Sequence, residues 1–382
     1  MQRVCAGLLA CTVVMACHGQ DTSRESRVLR LEAEASFGSV DGPLSFSTIE
    51  AVTLSPRAGD SLFVIQSGVA EVLLLRETGD SLATFGGRGD GPGEFRRPTT
   101  VAMLNDTIWI ADSDGTLAHF NTAGAFLGEF RPQRQPFAAD DRPPIFVALL
   151  ADGTLLYRGL ASATPIVTGA IEQTVLARVS RPGAVLNTVT PLSVRNSLFI
   201  LNLDAGGILV GAHPASMADR LAVHPRGRWI AVAEADEAVP GHATILWLGA
   251  GGDTLRRSTV QSAAVRAEPA RRAFVDRLTN DSIEGRDRAA IERVMAEWMP
   301  WPSHMPPVTE MFADDSGRLW LRTPDTAADS LRWLVLEENG EPLGTITLDG
   351  TIALKAARGE VVWGTTAGTE GQPLLVRYRL RT

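Results

Sequence analysis

GDSLFVIQ (59–66), NDTIWIAD (105–112), DGTLLYRG (152–159), RGRWIAVA (226–233), SGRLWLRT (316–323) and RGEVVWGT (358–365) share one pattern. A turn-forming pair leads into a short strand-type run that carries an aromatic or large apolar side chain. Asp-Gly, Ser-Gly and Arg-Gly pairs supply the positive φ of a tight hairpin turn, and the β-rich run after each reads as the next strand. Trp109, Trp229, Trp320 and Trp363 fall at or next to the same place in the repeat, which suits packing between neighbouring sheets.

A second pattern follows each copy: an apolar strand, a turn ending in glycine, and another apolar strand. It reads VLLLRETGDSLATF (72–85), LAHFNTAGAFLGEF (117–130), VLARVSRPGAVLNTV (175–189), ILWLGAGGDTLRRSTV (245–260) and WLVLEENGEPLGTITL (333–348), with Gly79, Gly124, Gly183, Gly252 and Gly340 at the turn. Two hairpin-forming patterns per unit make four strands, which is one blade of a β-propeller. The sixth unit ends early: LLVRYRLRT (374–382) supplies the strand before the turn, and the sequence stops there. VLRLEAEASFG (28–38) resembles the missing outer strand. An N-terminal strand is therefore expected to complete the last blade and remove its open edge. The fold expected is all-β: a six-bladed propeller of four-stranded blades with N-terminal strand closure over 28–382. The intervals from 153 to 227 and from 227 to 317 are long, and SLFILN (197–202) weakly resembles another copy, so a seventh blade is the alternative.

The longer interval holds a helical insertion, placed at 264–307. PARRAFVDRL (269–278) begins with proline at a good first-turn position, and RDRAAIERVMAEW (286–298) sets Ile291, Val294, Met295 and Trp298 on one face. Gly285 separates the two, and Pro300, Pro302, Pro306 and Pro307 end the excursion. The insertion either packs onto the blades or borders the channel, with Trp298, Trp301 and His304 near a binding surface.

At the N-terminus, Arg3 precedes an apolar run from Val4 to Ala16, too short to span a bilayer and typical of an export leader. Val14-Met15-Ala16-Cys17 resembles the lipobox of bacterial lipoproteins, which implies cleavage after residue 16 and lipidation of Cys17. Leu8-Leu9-Ala10-Cys11 is the weaker alternative, and an ordinary signal peptide is another. Residues 17–27 then read as lipidated cysteine and polar tether. Cys5, Cys11 and Cys17 all lie in this leader, so no disulfide framework or cysteine metal site is expected in the domain. The net charge is −8, and no basic stripe with interleaved aromatics argues for nucleic acid. Lys355 is the only lysine among 36 basic residues, a bias that suits genome composition.

Residues 86–130 resemble an NHL repeat, through Gly91-Pro92-Gly93-Glu94-Phe95, Pro98 and Ile110-Ala111-Asp112. This resemblance covers one unit closely and the other five loosely, and the whole looks like the exported six-bladed propeller lipoproteins of bacteria. It implies a fold more than an activity, because propellers host scaffolds, binders, lactonases and lyases. NHL-like amidating lyases hold zinc with channel histidines, and gluconolactonase-like propellers hold calcium or a similar cation with carboxylates and asparagines. Neither ligand set maps onto this chain residue by residue.

Linear chemistry is sparse. Arg88-Gly89-Asp90 sits in a glycine-rich connector, and Asp112-Ser113-Asp114-Gly115 lacks the EF-hand glycine at the sixth position, which holds Leu117. His18, His119, His213, His224, His242 and His304 show no zinc spacing, and no GxSxG elbow occurs. The leading expectation is a non-catalytic cell-envelope propeller, held at the membrane by its lipid and recognising a protein, peptide or glycan. The alternative is a metal-dependent hydrolase or lyase, lactonase-like, with a divalent cation in the central channel; no other cofactor is expected. Asp112, Glu234 and Arg322, just after the aromatic strand in three units, are the candidate channel-facing polar groups.

Overall fold

The computed structural model describes residues 27–39, 42, 44–55, 61–131, 144–160, 171–180, 184–195, 198–202, 208–212, 215–280, 301–325 and 330–381. The leader, Cys17, the tether before Arg27, and Trp298 with the expected second helix lie outside these residues. Blade I is β2 (Ala51–Leu54), β3 (Ser61–Gln66), β4 (Glu71–Arg76) and β5 (Ser81–Gly86). Blade II is β6 (Pro98–Leu104), β7 (Thr107–Asp112), β8 (Leu117–Asn121) and β9 (Phe126–Phe130). Blade III is β10 (Ile145–Leu149), β11 (Leu155–Leu160), β12 (Ile171–Val179) and β13 (Val185–Arg195). A hairpin, β14 (Leu198–Asn202) with β15 (Ile208–Ala212), stands apart. Blade IV is β16 (Arg220–Val223), β17 (Ile230–Ala235), β18 (His242–Leu248) and β19 (Thr254–Gln261). Helix α1 (Glu268–Asn280) precedes blade V, which is β20 (Glu310–Ala313), β21 (Leu319–Thr323), β22 (Ser330–Leu336) and β23 (Pro342–Asp349). Blade VI is β24 (Ala353–Arg358), β25 (Val361–Ala367), β26 (Pro373–Arg381) and, outermost, β1 (Arg30–Phe37).

Six four-stranded antiparallel blades thus close a propeller ring. The weak seventh copy, SLFILN, becomes β14, whose ladder pairs with β15 and is a separate two-stranded sheet.

A strand sends alternate side chains to opposite faces, and a blade is covered on both faces by its neighbours. Second strands therefore read as unbroken apolar runs: Leu62–Ile65 and Ile108–Ala111 are buried at every position. Six apolar cores result, one per interface between blades. Trp109 fills the core between blades II and III, Trp229 that between IV and V, Trp320 that between V and VI, and Trp363 that between VI and I. The repeated tryptophan is the wedge between sheets.

Ring closure is written in both ends of the chain. Thr345 donates its N–H to Arg27 O, and Leu29 donates to Thr345 O, so the incoming chain first lies along β23 of blade V. It then crosses to pair antiparallel with β26, from Arg30↔Arg381 to Phe37↔Leu375. Leu29 is buried in the core between blades V and VI, and Phe37 packs on Trp363 at 5.9 Å between centroids. The solvent side carries opposite charges: Glu34 meets Arg379 at 2.8 Å and Arg377 at 3.4 Å, and Glu32 meets Arg381 at 2.8 Å. Exposed pairs of this kind contribute little each, about 0–1 kcal/mol. They favour this register over a slipped one.

Helix α1 buries Phe274 and Val275, and Trp301 packs on Phe274 at 6.0 Å. The proline-rich return is tied back by Ala267 N–H to Ser303 O at 3.1 Å and Met305 N–H to Val265 O at 2.8 Å. The described part of the insertion is thus folded back upon itself, its outgoing and returning arms joined.

Candidate binding site at the channel mouth

The first strand of every blade lines a central channel of about 300 Å³, walled by residues from β2, β6, β10, β16, β20 and β24. One end is where these strands stop and turn into the second strands. There His224 and Asp314 occupy matching positions in blades IV and V. His224 Nδ1 accepts the Arg226 N–H at 2.9 Å, and Asp314 Oδ1 accepts the Ser316 N–H at 2.9 Å, the same two-residue reach. Asp314 Oδ1 also accepts the Arg318 N–H at 2.9 Å, and Asp314 Oδ2 accepts the Trp320 indole N–H at 3.1 Å. Burial raises the Asp314 carboxyl to about 6 and lowers the His224 imidazole to about 4, with the Arg228 charge adding to the second shift. Arg358 ties three blades together here, donating to Ser55 O and pairing with Asp315 at 3.2 Å and Glu77 at 3.5 Å. These groups turn chains and join blades.

The other end, where the first strands begin, has a different character. A cavity of about 350 Å³ opens there between blades IV, V and VI, lined by Arg220, Thr309, Glu310, Lys355 and the apolar Met311, Phe312, Leu354 and Trp333 among others. Arg220 Nη2 donates to Ser216 O at 3.0 Å, while Arg220 Nε is buried with no hydrogen-bond partner. The Trp333 indole N–H is likewise buried without a partner. Burial of a polar group without a partner costs about 1–3 kcal/mol, a state these two donors share with the core indole of Trp363. Lys355 Nζ lies 3.5 Å from Glu50 O of blade I, a long contact.

Positive charge collects around this mouth. Alternation along β11 puts Arg158 on the same face as Leu156, which belongs to the core between blades III and IV. Burial lowers the pKa of the Arg158 guanidinium from its usual value. Burial also lowers that of Arg220; Glu310 and then Asp219 oppose the shift, and the charge of Arg158 adds to it.

The sequence candidates fall as follows. Asp112 ends β7 at this same end, but its carboxylate is committed to the blade connector: Oδ2 accepts the Arg96 N–H, and Oδ1 accepts those of Arg97 and Ser113, each at 2.7 Å. Glu234 is exposed near the end of β17. Arg322 pairs with Glu310, which lines the mouth cavity, so it stands one residue behind that wall. Trp301 packs on α1, and His304 lines a separate pocket of about 160 Å³ with Asp236 and Glu237. These residues are not brought into one site. Among the described residues, no group of three His, Cys, Asp or Glu is placed to hold a metal ion. Sequence reasoning missed Arg220, Lys355 and Glu310, although the uniqueness of Lys355 was a usable signal.

No family model matches the chain, and no curated protein matches it. Among solved structures, it is similar to a protein from Bacteroides fragilis described as exported (12% identity, 93% of this chain and 96% of that one, TM-score 0.48). It is also similar to a DUF4221 family member from Bacteroides vulgatus (9% identity, 93% and 99%, TM-score 0.47). A streptogramin B lyase aligns at 10% identity over 92% of this chain and 98% of that one, with a TM-score of 0.45. The assignment of the fold rests on the six sheets themselves. No described helix is long and apolar enough to cross a membrane.

Proposed function

We propose that this protein is an exported, lipid-anchored envelope propeller that binds a ligand, without transforming it, at the mouth of its channel. The observation that carries the binding reading is the cavity between blades IV, V and VI, with the two buried donors of Arg220 and Trp333 in its wall. Ligand sites of this type are concave, mostly apolar, and carry a few convergent polar groups. The anchor rests on Val14-Met15-Ala16-Cys17, with Cys17 as the acylated residue, and on the NHL-like, lipoprotein-like look of the chain. Several acyl chains hold a protein to a bilayer without any spanning helix.

Two experiments test these readings. The protein is purified from its own envelope, and small molecules released on denaturation are compared with those from Met311→Trp, in which the indole fills the cavity. A compound carried by the wild type and lost from the variant supports the site. The same compounds from both proteins, or none from either, contradict it. Separately, Cys17→Ala should leave the membrane fraction for the soluble one, and its retention in the membrane would refute the anchor.

A further inference from the structure

Resting on that reading of the mouth, we infer that the ligand is a small organic carboxylate with an apolar body, its charged end held between Arg220 and Lys355. The chain uses arginine for every other basic side chain, yet its one lysine stands on the first strand of blade VI. There it faces both the channel and the mouth cavity. Arg220 opens the first strand of blade IV across the same cavity, with Nε unpartnered. The charge of Arg158 in blade III also acts on Arg220, so Arg220, Lys355, Arg158 and Arg322 together outnumber the two carboxylates at this wall, Asp219 and Glu310, of which Glu310 is already paired with Arg322. A cationic wall on an overall acidic chain is costly to keep in a partly buried place unless an anion shares it.

The rest of the lining sets the other end of the ligand. Met311, Phe312 and Leu354 offer apolar surface beside the two cations. The Phe312 ring is held firm by stacking on Trp320 at 5.5 Å and an edge contact with Trp333 at 5.5 Å. Glu310 in the same wall favours a single negative charge over a phosphate dianion, because a second charge would meet its carboxylate. The site therefore matches a monocarboxylate and not a bare inorganic anion.

The test uses the full chain with phenylacetate, its uncharged isostere phenylacetamide, and phenyl phosphate, each followed by calorimetric titration. Phenylacetate should bind at least about tenfold more tightly than phenylacetamide, and more tightly than phenyl phosphate. Arg220→Met and Lys355→Met should each weaken phenylacetate by about tenfold or more. Arg271→Met on α1 should leave it unchanged. Because Lys355 is the only lysine, its acylation by acetic anhydride can be read by mass at one side chain. Phenylacetate should slow that reaction and phenylacetamide should not, which gives a readout in the wild-type protein with no risk of misfolding. Equal binding of acid and amide, both lost in Met311→Trp, would overturn the anion inference and leave the mouth reading standing. Tighter binding of phenyl phosphate would overturn the carboxylate assignment. Phenylacetate binding untouched by Arg220→Met, Lys355→Met and Met311→Trp would overturn both readings. Failure of phenylacetate to bind at millimolar concentration would overturn the inference, while the mouth reading is judged by its own released-compound experiment.

Discussion

Acid should loosen this propeller at one identifiable point, the turn between the first two strands of blade IV. His224 is 1% exposed, and its ring lies edge-on to Trp229 at 5.3 Å. A neutral imidazole has one lone pair. At His224 that lone pair can accept from the Arg226 backbone at 2.9 Å or from Arg228 Nη2 at 2.8 Å, but not both. Protonation removes it and adds a charge beside Arg228 in a buried place. Burial, then the Arg228 charge, lowers the group from an ordinary value of 6.5 to about 4. The folded state thus favours the neutral ring, so this contribution is complete above about 6.5, declines below that, and is lost below about 4. Between two and three pKa units at about 1.4 kcal/mol each come to about 3 kcal/mol. Urea unfolding followed by tryptophan fluorescence at a series of pH values measures it. His224→Asn keeps an acceptor for the Arg226 amide and cannot titrate. Wild type should lose about 3 kcal/mol more than His224→Asn between neutral pH and about pH 4. An equal acid loss in the two proteins, or a His224 NMR titration with its midpoint at the ordinary value, would refute the reasoning.

Asp314 should show the opposite sign. Its carboxyl is raised to about 6, so its contribution is complete below about 3.8 and is lost as pH rises through about 6; the advantage of wild type over Asp314→Asn should narrow from pH 4 to pH 7 in the same unfolding assay. Gly227→Ala should destabilise the protein by about 3 kcal/mol or more, measured by urea unfolding, because φ is +63° and a Cβ would sit 2.4 Å from Leu150 Cα and 2.5 Å from Ala151 N of the next blade. That neighbour is backbone and cannot swing aside. Trp363→Ala, which removes a fully buried indole between blades VI and I, should cost about 3–5 kcal/mol by the same measurement, and it would loosen the blade shared by the two chain ends.

The blades were legible in the sequence because their second strands are buried on both faces and their turns need particular residues. Gly79, Gly124, Gly252 and Gly340, expected at turns, have φ between 83° and 93°. Closure was legible for a related reason: Leu29, Leu31 and Phe37 had to be covered, and an unfinished blade offered a place. The long interval before blade IV misled only in part, since SLFILN does form a strand but finds one partner. The mouth was harder to see. Its first strands are as short as four residues, as in Arg220–Val223 and Glu310–Ala313, too brief to show a period. Its polar groups come from blades far apart in sequence, so no linear motif joins Arg220, Glu310 and Lys355. The residues expected from the ends of second strands lie at the same end of the channel as the mouth cavity, yet Asp112 is committed to backbone amides and Arg322 is paired with Glu310. The ring brings the one lysine and a half-buried arginine, 135 positions apart, to the same wall.

The central claim is that ligand binds where the first strands begin and not at the opposite end. Peptide-level hydrogen exchange on the full chain, with and without phenylacetate, tests it most directly. The account predicts added protection confined to the starts of β16, β20 and β24, around Arg220, Glu310 and Lys355. Protection centred on the turns at His224, Asp314 and Arg358, or none while the ligand is bound, would contradict it.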